Sequence, residues 1–307
     1  MQIIERIDRI PAGSLVAGIG FFDGVHAGHR KLIGEIVGMA RTRNLSSGVI
    51  TFRRHPRQVL HTDYCPHLIT SFEERMQCLS ATGLDYCVVL DFTPELSRMS
   101  AEAFISLLSR HYGVSCLFIG YDHRFGHNRA EGFDDYVRYG RELGLDVVPA
   151  EGLLSDGKPV SSSVVRALLQ QGKVGKAATL LTVPYRFEGI VVEGHRLGCR
   201  LGFPTANLRL TDPDKIVPAN GVYAVRVELP DGICRNGMLN IGVRPTVKNG
   251  RNRSIEVHIF DYSGDLYGCR ISVSFVSFLR EERQLSGVEE LTLQLQKDKE
   301  HALSILL

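Results

Sequence analysis

Two histidines three residues apart, His26 and His29, stand in a run of small residues, Gly20-Phe21-Phe22-Asp23-Gly24-Val25-His26-Ala27-Gly28-His29. Imidazoles bond well to phosphate oxygens, and glycines let a ligand come close to the backbone. The run follows an apolar stretch, Ser14 to Ile19, and leads into helical spacing at Leu32, Ile33, Ile36, Val37 and Ala40. A strand, a turn and a helix start in that order gather free amides and the positive end of a macrodipole, which suits a polyphosphate. A transition-metal site built from Asp23, His26 and His29 is the competing chemistry. It would leave the glycines without a purpose.

Three further groups carry similar promise. Ser161-Ser162-Ser163-Val164-Val165-Arg166 opens a helical pattern, so hydroxyls, amides and a guanidinium form an anion clamp or, more plainly, a helix cap. Gly120-Tyr121-Asp122-His123-Arg124-Phe125-Gly126 stands where an apolar run meets a loop. The richest stretch holds Gly194, Arg196, Gly198, Arg200, Gly202 and Phe203-Pro204-Thr205-Ala206-Asn207, a basic, glycine-rich loop suited to polyphosphate. Thr205 and Asn207 lie two apart, so in extended chain their side chains face one way. A hydroxyl and an amide oxygen are hard ligands that suit Mg²⁺.

The elements that must position these groups fall into two textures. Up to about residue 182, short apolar runs (Leu15–Ile19, Val49–Phe52, Tyr86–Phe92, Cys116–Tyr121 and Asp146–Pro149) alternate with helical patterns, one opened by Ser71 and Glu74 at capping-box spacing. Such alternation predicts an open, mostly parallel sheet covered by helices on both faces, with ligands beyond the carboxyl ends of the strands. After Pro184 the runs Tyr185–Glu193, Val222–Leu229, Ser254–Asp261 and Cys269–Phe278 follow closely, separated by Asp231-Gly232, Asn249-Gly250 and Ser263-Gly264. Closely spaced strands without helices predict an antiparallel barrel or sandwich. A last helical pattern presents Val288, Leu291 and Leu295 on one face. The predicted boundary gives domains 1–182 and 183–307.

At 307 residues the chain is long for one core. A net charge of +2 without a Lys/Arg block gives no nucleic-acid coat, so phosphate binding must be local. No window of 18 uncharged apolar residues offers a membrane span. Seven scattered cysteines without a CxxC pair, and a charged N-terminal stretch, predict reduced thiols in a cytoplasmic protein.

The turn at His26-x-Gly28-His29 with the late Ser161–Arg166 resembles the superfamily that transfers adenylyl or cytidylyl groups. Phe22–His26, Thr51-Phe52 with His55-Pro56, and Arg124-Phe125-Gly126 narrow the resemblance to the adenylyltransferase half of bifunctional riboflavin kinase/FAD synthetases. The resemblance implies a Rossmann-like domain in which a phosphate oxygen of FMN attacks the α-phosphorus of ATP and pyrophosphate leaves. It implies that Gly20, Phe22, Asp23, His26, Gly28, His29, Ser161, Ser162 and Ser163 bind ATP. Arg166 would hold the leaving β/γ groups, and Asp122, Arg124 and Phe125 would help form the flavin or nucleotide pocket. The family usually has Thr at Ser163 and often a basic residue at Val164, whose absence predicts modest weakening.

From about Tyr185 onward the chain resembles the riboflavin kinase module, most specifically at Pro204-Thr205-Ala206-Asn207. This implies transfer of the γ-phosphate of ATP to the 5′-hydroxyl of riboflavin, with Glu256 as base. Ile255 and Val257 would face the core and leave Glu256 on the other face, where a solvated glutamate is the plainer reading. Arg280 would bind flavin or pair with Glu281 or Glu282, and Leu285 stands where an aromatic is common. Each step would use Mg²⁺–ATP, with riboflavin, FMN and ATP as small-molecule partners, no nucleic acid and no membrane. The oligomeric state stays open. Two rivals remain: a nucleotidyltransferase for another phosphate acceptor, with an accessory barrel, and a flavin-binding protein with inert sites.

Overall fold

The computed structural model describes residues 1–5, 13–60, 66–120, 124–127, 131–155, 157–194, 201–243, 253–283 and 286–307. The chain divides into two compact units, Met1–Ser162 and Ser163–Leu307.

In the first unit, β1 (Gln2–Ile4), β2 (Leu15–Ile19), β3 (Ser46–Phe52), β4 (Tyr86–Leu90), β5 (Val114–Gly120) and β6 (Asp146–Ala150) form one sheet in the order β1-β4-β3-β2-β5-β6. Every pairing in it is parallel. Its strands read as nearly continuous apolar runs because both faces are covered. Alternate residues divide between two cores. Leu15, Ala17, Ile50, Val88 and Leu117 pack toward α5 (Ala101–Tyr112) and α6 (Phe133–Glu142). Val16, Val49, Cys87 and Cys116 pack toward α1 (Ala27–Thr42) and α3 (Phe72–Ser80). The short α2 (Pro56–Leu60) and α4 (Pro94–Ser97) lie in the connections after β3 and β4. The expected capping box opens α3: the Ser71 N–H donates to Glu74 Oε2 at 2.9 Å and the Glu74 N–H to Ser71 Oγ at 3.2 Å.

Strand order reverses between β2 and β5, which makes their carboxyl ends the topological switch point of the sheet. The glycine turn after β2 emerges there. The sequence pattern misses β1 and a two-residue hairpin, β7 (Leu154–Ser155) with β8 (Lys158–Pro159), because both are too short to show a period.

The second unit starts earlier than the boundary at 182. The helices α7 (Ser162–Gln170) and α8 (Val174–Leu181) pack with the barrel: the Ala219 N–H donates to Leu169 O at 3.0 Å, and a Cβ on Gly172 would meet the Phe278 ring at 3.2 Å. The barrel is closed and antiparallel, in the order β10-β13-β12-β11-β14-β9. Its strands are β9 (Arg186–Val192), β10 (Ala206–Leu210), β11 (Gly221–Glu228), β12 (Cys234–Val243), β13 (Arg253–Ile259) and β14 (Arg270–Arg280). Tyr223, Val225, Leu239, Ile241, Val257, Val273 and Phe275 fill the interior and are fully buried.

Two strands, β10 and β12, depart from the sequence expectation. The first coincides with the Thr-x-Asn motif, and the second, Cys-Arg-Asn-Gly-Met-Leu-Asn-Ile-Gly-Val, carries turn formers. Gly237 is needed there for closeness, since a Cβ on it would stand 2.7 Å from His258 O. The terminal helix α9 (Val288–Leu306) lies against the outside of the barrel, where Ala302 and Leu306 meet Phe203, Ala224, Met238 and Phe260. Of the expected stripe, Leu291 and Leu295 face the barrel and Val288 does not. Val288 is 60% exposed, and the line toward the barrel runs through Gln294, Asp298, Ala302 and Leu306.

Candidate active sites

The turn after β2 is built almost entirely from backbone geometry. Phe22 adopts left-handed angles (φ 56°, ψ 33°), Asp23–Val25 make one 3₁₀ turn, and Gly24 and Val25 also have positive φ. Two non-glycine residues in that region mark stored strain, which only a well-anchored surround tolerates. The anchors are visible. Phe22 is buried to 1%, and the Asp23 carboxylate is buried to 2%. That carboxylate accepts the N–H groups of Ile69 and Thr70 and the Thr70 hydroxyl at 3.0–3.2 Å. The Ser162 hydroxyl donates to Asp23 O at 2.9 Å. Asp23 and Ser162 therefore hold the turn's shape.

His26 caps α1, accepting the His29 N–H on Nδ1 at 3.3 Å. The two imidazoles stack with centroids 3.7 Å apart and planes 17° from parallel, and Phe22 meets His29 edge-on at 5.1 Å. Burial, and secondarily the neighbouring His26, hold His29 well below the ordinary histidine pKa. Its ring is thus neutral at pH 7. Its Nδ1 is buried with no hydrogen-bond partner among the described residues, a polar atom left for a ligand. Gly28 leaves little room for a side chain, because a Cβ would stand 3.1 Å from Val160 O and 3.2 Å from the His26 ring. Ser161 and Ser163 stand with Ser162 at the start of α7, and Arg166 follows Ser162 by one helical turn, half-buried.

Beside this turn, a cavity of about 380 Å³ opens above the carboxyl ends of the sheet. Ile19, Phe52, Phe92, Phe104 and Phe125 give it apolar walls, and Arg124 stands at its edge. Phe125 stacks on Tyr136 at 4.3 Å, and Tyr136 Oη bonds both the N–H and the carbonyl of Phe125 at 3.2 Å. Gly126 has φ +93°, and a Cβ there would stand 2.9 Å from Ala101 N, so the motif's glycine is obligatory. Asp122 lies outside the described residues.

One residue unmarked by the sequence ties these parts together. Arg75 is buried to 1%, donates to Phe52 O at 2.6 Å, and lies 4.0 Å from the Phe21 ring centroid. Phe21 in turn meets His55 edge-on at 4.7 Å, and Phe21 O accepts the Thr51 hydroxyl at 3.1 Å. Burial lowers the Arg75 pKa to about 10, partly offset by Asp23, so it stays a cation. The signal available in the sequence was a charged residue on the apolar face of α3.

The second site is a row of side chains across the barrel wall. Asn207 on β10 pairs in register with Glu256 on β13, Glu256 with Asn240 on β12, Asn240 with Val222 on β11, and Val222 with Arg280 on β14. Directly opposed residues share a face. This face is the outer one, so the expectation that Glu256 turns away from the core holds, but α9 covers it. Between the row and α9 lies a slot of about 240 Å³, walled by Leu201, Phe203, Met238, Leu291 and Leu295. A separate groove of about 370 Å³, with Pro204, Ala206, Tyr262 and Tyr267, lies on the other side of Thr205. Thr205 belongs to both walls, and its hydroxyl donates to Glu256 Oε2 over a long 3.5 Å.

Pro204 O accepts a bond from His258 Nδ1 at 2.7 Å, which fixes the bend that presents Thr205. Burial lowers the His258 pKa. A Cβ on Gly194 would stand 2.0 Å from Asn207 Nδ2, so backbone packs directly on the amide. Gly202 uses φ +79° to turn the chain into Phe203. Arg196, Gly198 and Arg200 lie outside the described residues, as does Leu285.

The chain matches two family models, FAD synthetase over residues 9–164 and riboflavin kinase over 181–306. Among curated proteins, the bifunctional riboflavin kinase/FMN adenylyltransferase of Bacillus subtilis is 36% identical over 94% of this chain and 91% of its own. The protein of that description from Escherichia coli strain K12 is 36% identical over 96% and 94%. The chain belongs to the bifunctional riboflavin kinase/FMN adenylyltransferase family. It phosphorylates riboflavin to FMN and adenylylates FMN to FAD.

A solved Streptococcus pneumoniae chain described as a macrolide-efflux protein superposes with a TM-score of 0.87, at 29% identity over 97% of both chains. No helix among the described residues here is long and apolar enough to cross a membrane. In this family's terms, the parallel sheet with its histidine turn is the adenylyltransferase half and the barrel is the kinase half. The rival with an accessory barrel is excluded by the kinase match, and that of an inert flavin binder by relatives curated for both activities.

Proposed function

We propose that Glu256 is the base of the kinase half and that the slot and the groove hold its two substrates. The observation that carries this is the place of Thr205 and Glu256 where the cavities meet. Phosphoryl transfer to an alcohol needs the hydroxyl and the γ-phosphate to arrive from two sides at one point, and little else. The apolar slot suits the flavin ring and the groove suits the nucleotide. Glu256 takes the proton of the ribityl 5′-hydroxyl as its oxygen attacks the γ-phosphorus, and ADP leaves.

Thr205 and Asn207 would hold Mg²⁺. Hydroxyl and amide oxygens next to a carboxylate are the hard donor set this ion takes, and the Gly194 backbone fixes the amide. Bound there, Mg²⁺ supplies neutralisation of phosphate charge. Gly194, Gly202 and the basic residues Arg196 and Arg200, with Gly198, are assigned to the ATP phosphates.

In the adenylyltransferase half, His26, His29, the amides at the start of α1 and the Gly20–Gly28 backbone cradle the ATP phosphates. Arg166, with Ser161 and Ser163, holds the departing pyrophosphate. The cavity walled by Phe52, Phe104 and Phe125, with Arg124 at its edge, takes the isoalloxazine of FMN. No proton must move: a phosphate oxygen of FMN attacks the α-phosphorus, and pyrophosphate carries away the electron pair. A neutral His29 serves this step as a hydrogen-bond donor.

The functional division falls at 182/183 although α7 and α8 pack with the barrel, and the working compartment is the cytoplasm, with no nucleic-acid or membrane partner. The direct test is a pH–rate profile of single-turnover riboflavin phosphorylation for Glu256→Gln. Loss of the acidic limb together with a fall of about 10²–10⁴-fold supports the assignment. An unchanged profile overturns it.

A further inference from the structure

Two residues lining the flavin slot belong neither to its reacting end nor to its apolar wall: Arg280, the last residue of β14, and Asp298 of α9. Their bond is two-pronged. Arg280 Nε donates to Oδ1 of Asp298 at 2.9 Å and Nη2 to Oδ2 at 2.7 Å, while Nη1 donates to Glu281 O at 3.0 Å. One turn earlier on α9, Gln294 Nε2 donates to Asp298 Oδ1 at 2.6 Å, and Gln294 Oε1 accepts from Arg283. The side chain of Asp298 is 5% exposed and that of Arg280 22%.

A buried ion pair is a poor device for stability alone, since apolar residues of similar volume usually do as well or better. What it provides is geometry, because a planar fork accepts a carboxylate at one distance and angle. Here the fork ties the end of β14 to the middle of the helix whose Leu291 and Leu295 wall the slot. Of the two readings of Arg280, the ion pair with Glu281 or Glu282 gives way to this pairing with Asp298, and Arg280 still lines the slot. The register places Arg280 three strands from Glu256, roughly 14 Å at the usual strand spacing. The pair therefore stands at the end of the slot remote from phosphoryl transfer.

We propose that Arg280 and Asp298 are positioning residues that clamp α9 against β14 and so set the width of the slot for the flavin ring. This rests on the reading that the slot takes the flavin. Such a clamp governs riboflavin binding and leaves the phosphoryl-transfer step nearly untouched.

The test measures steady-state riboflavin phosphorylation and riboflavin fluorescence quenching on the full chain for Asp298→Asn, Asp298→Glu and Arg280→Lys. Adenylylation of supplied FMN and thermal unfolding report on integrity. The expected result for Asp298→Asn and Arg280→Lys is a riboflavin KM and Kd raised about tenfold. Their kcat and KM for ATP should stay within about threefold, and Asp298→Glu should recover part of the loss. Should Asp298→Asn fail to fold, Arg280→Met combined with Asp298→Leu keeps the packing without the fork and should show the same raised KM. An unchanged riboflavin KM with a lowered Tm makes the pair merely structural and overturns the proposal, as does a fall in kcat alone. Leu291→Trp, which fills the slot, separates the two claims. If it raises the riboflavin KM while Asp298→Asn does not, only the clamp is lost. If neither does, the slot is not the flavin site and both readings fall.

Discussion

The two phosphate-handling sites proposed for this chain are made by opposite means. At the carboxyl edge of the sheet, one short stretch supplies nearly everything: a left-handed Phe22, a glycine turn, two stacked imidazoles and the start of α1. In the barrel, the row Asn207, Glu256, Asn240, Val222 and Arg280 takes one residue from each of five strands. The first site is backbone shaped by sequence neighbours, and the second is side chains brought together by register. A local site fails through strain, whereas a register-built site fails through the loss of one oxygen or one wall.

The largest effect that sharpens this contrast is Glu256→Ala. It should lower riboflavin phosphorylation by about 10²–10⁴-fold while adenylylation of supplied FMN stays within twofold, measured by chromatography of the flavins. Next is His29→Ala, expected to lower adenylylation by roughly 10²–10³-fold through a lost donor to the phosphates and to spare the kinase. Gly28→Ala should lower adenylylation by about tenfold, since its Cβ must displace Val160 O or the His26 ring by a few tenths of an ångström. A loop glycine outside the row, Gly232→Ala, meets nothing within 4 Å but carries φ +79°, so it should lower Tm slightly and leave both activities unchanged. A large loss there would break the contrast.

The smallest effect is one of pH. His29 is held below its unfolded pKa, so between the two values the unfolded state binds more protons. Its contribution to stability is present above about pH 6.5 and is lost as pH falls toward the folded pKa. His29→Asn should flatten the acid side of a plot of Tm against pH. An unchanged slope would mean the ring is not desolvated.

This division also explains what the sequence showed. The histidine turn, the capping box at Ser71 and the covered parallel strands are local or periodic signals, and they were legible. So was the Thr205-x-Asn207 motif, although the strand β10 beginning at Ala206 was hidden behind it. β12 was illegible because its asparagines and glycines look like turns, and only a closed barrel explains why Gly237 must lack a side chain beside His258 O. Arg75 and Asp298 were missed for the same reason. Each is a charge on the buried face of a helix, and its partner (Phe52 O for one, Arg280 for the other) lies far away in sequence. Arg280 itself was noticed as a flavin-side residue, but the partner that adjacency suggested for it, Glu281 or Glu282, is not the one it has.

The central claim, a separate site for each of the two activities, is tested most directly by mixing two variants that each lack one activity. Glu256→Ala and His29→Ala proteins, each unable alone to convert riboflavin to FAD, are combined with riboflavin, ATP and Mg²⁺, and the flavins are followed over time. The account predicts that FMN accumulates first and FAD then forms at a rate rising with the concentration of the Glu256→Ala protein. If the mixture makes no FAD although both proteins are folded, or if either variant alone has lost both reactions, the two-site account is contradicted.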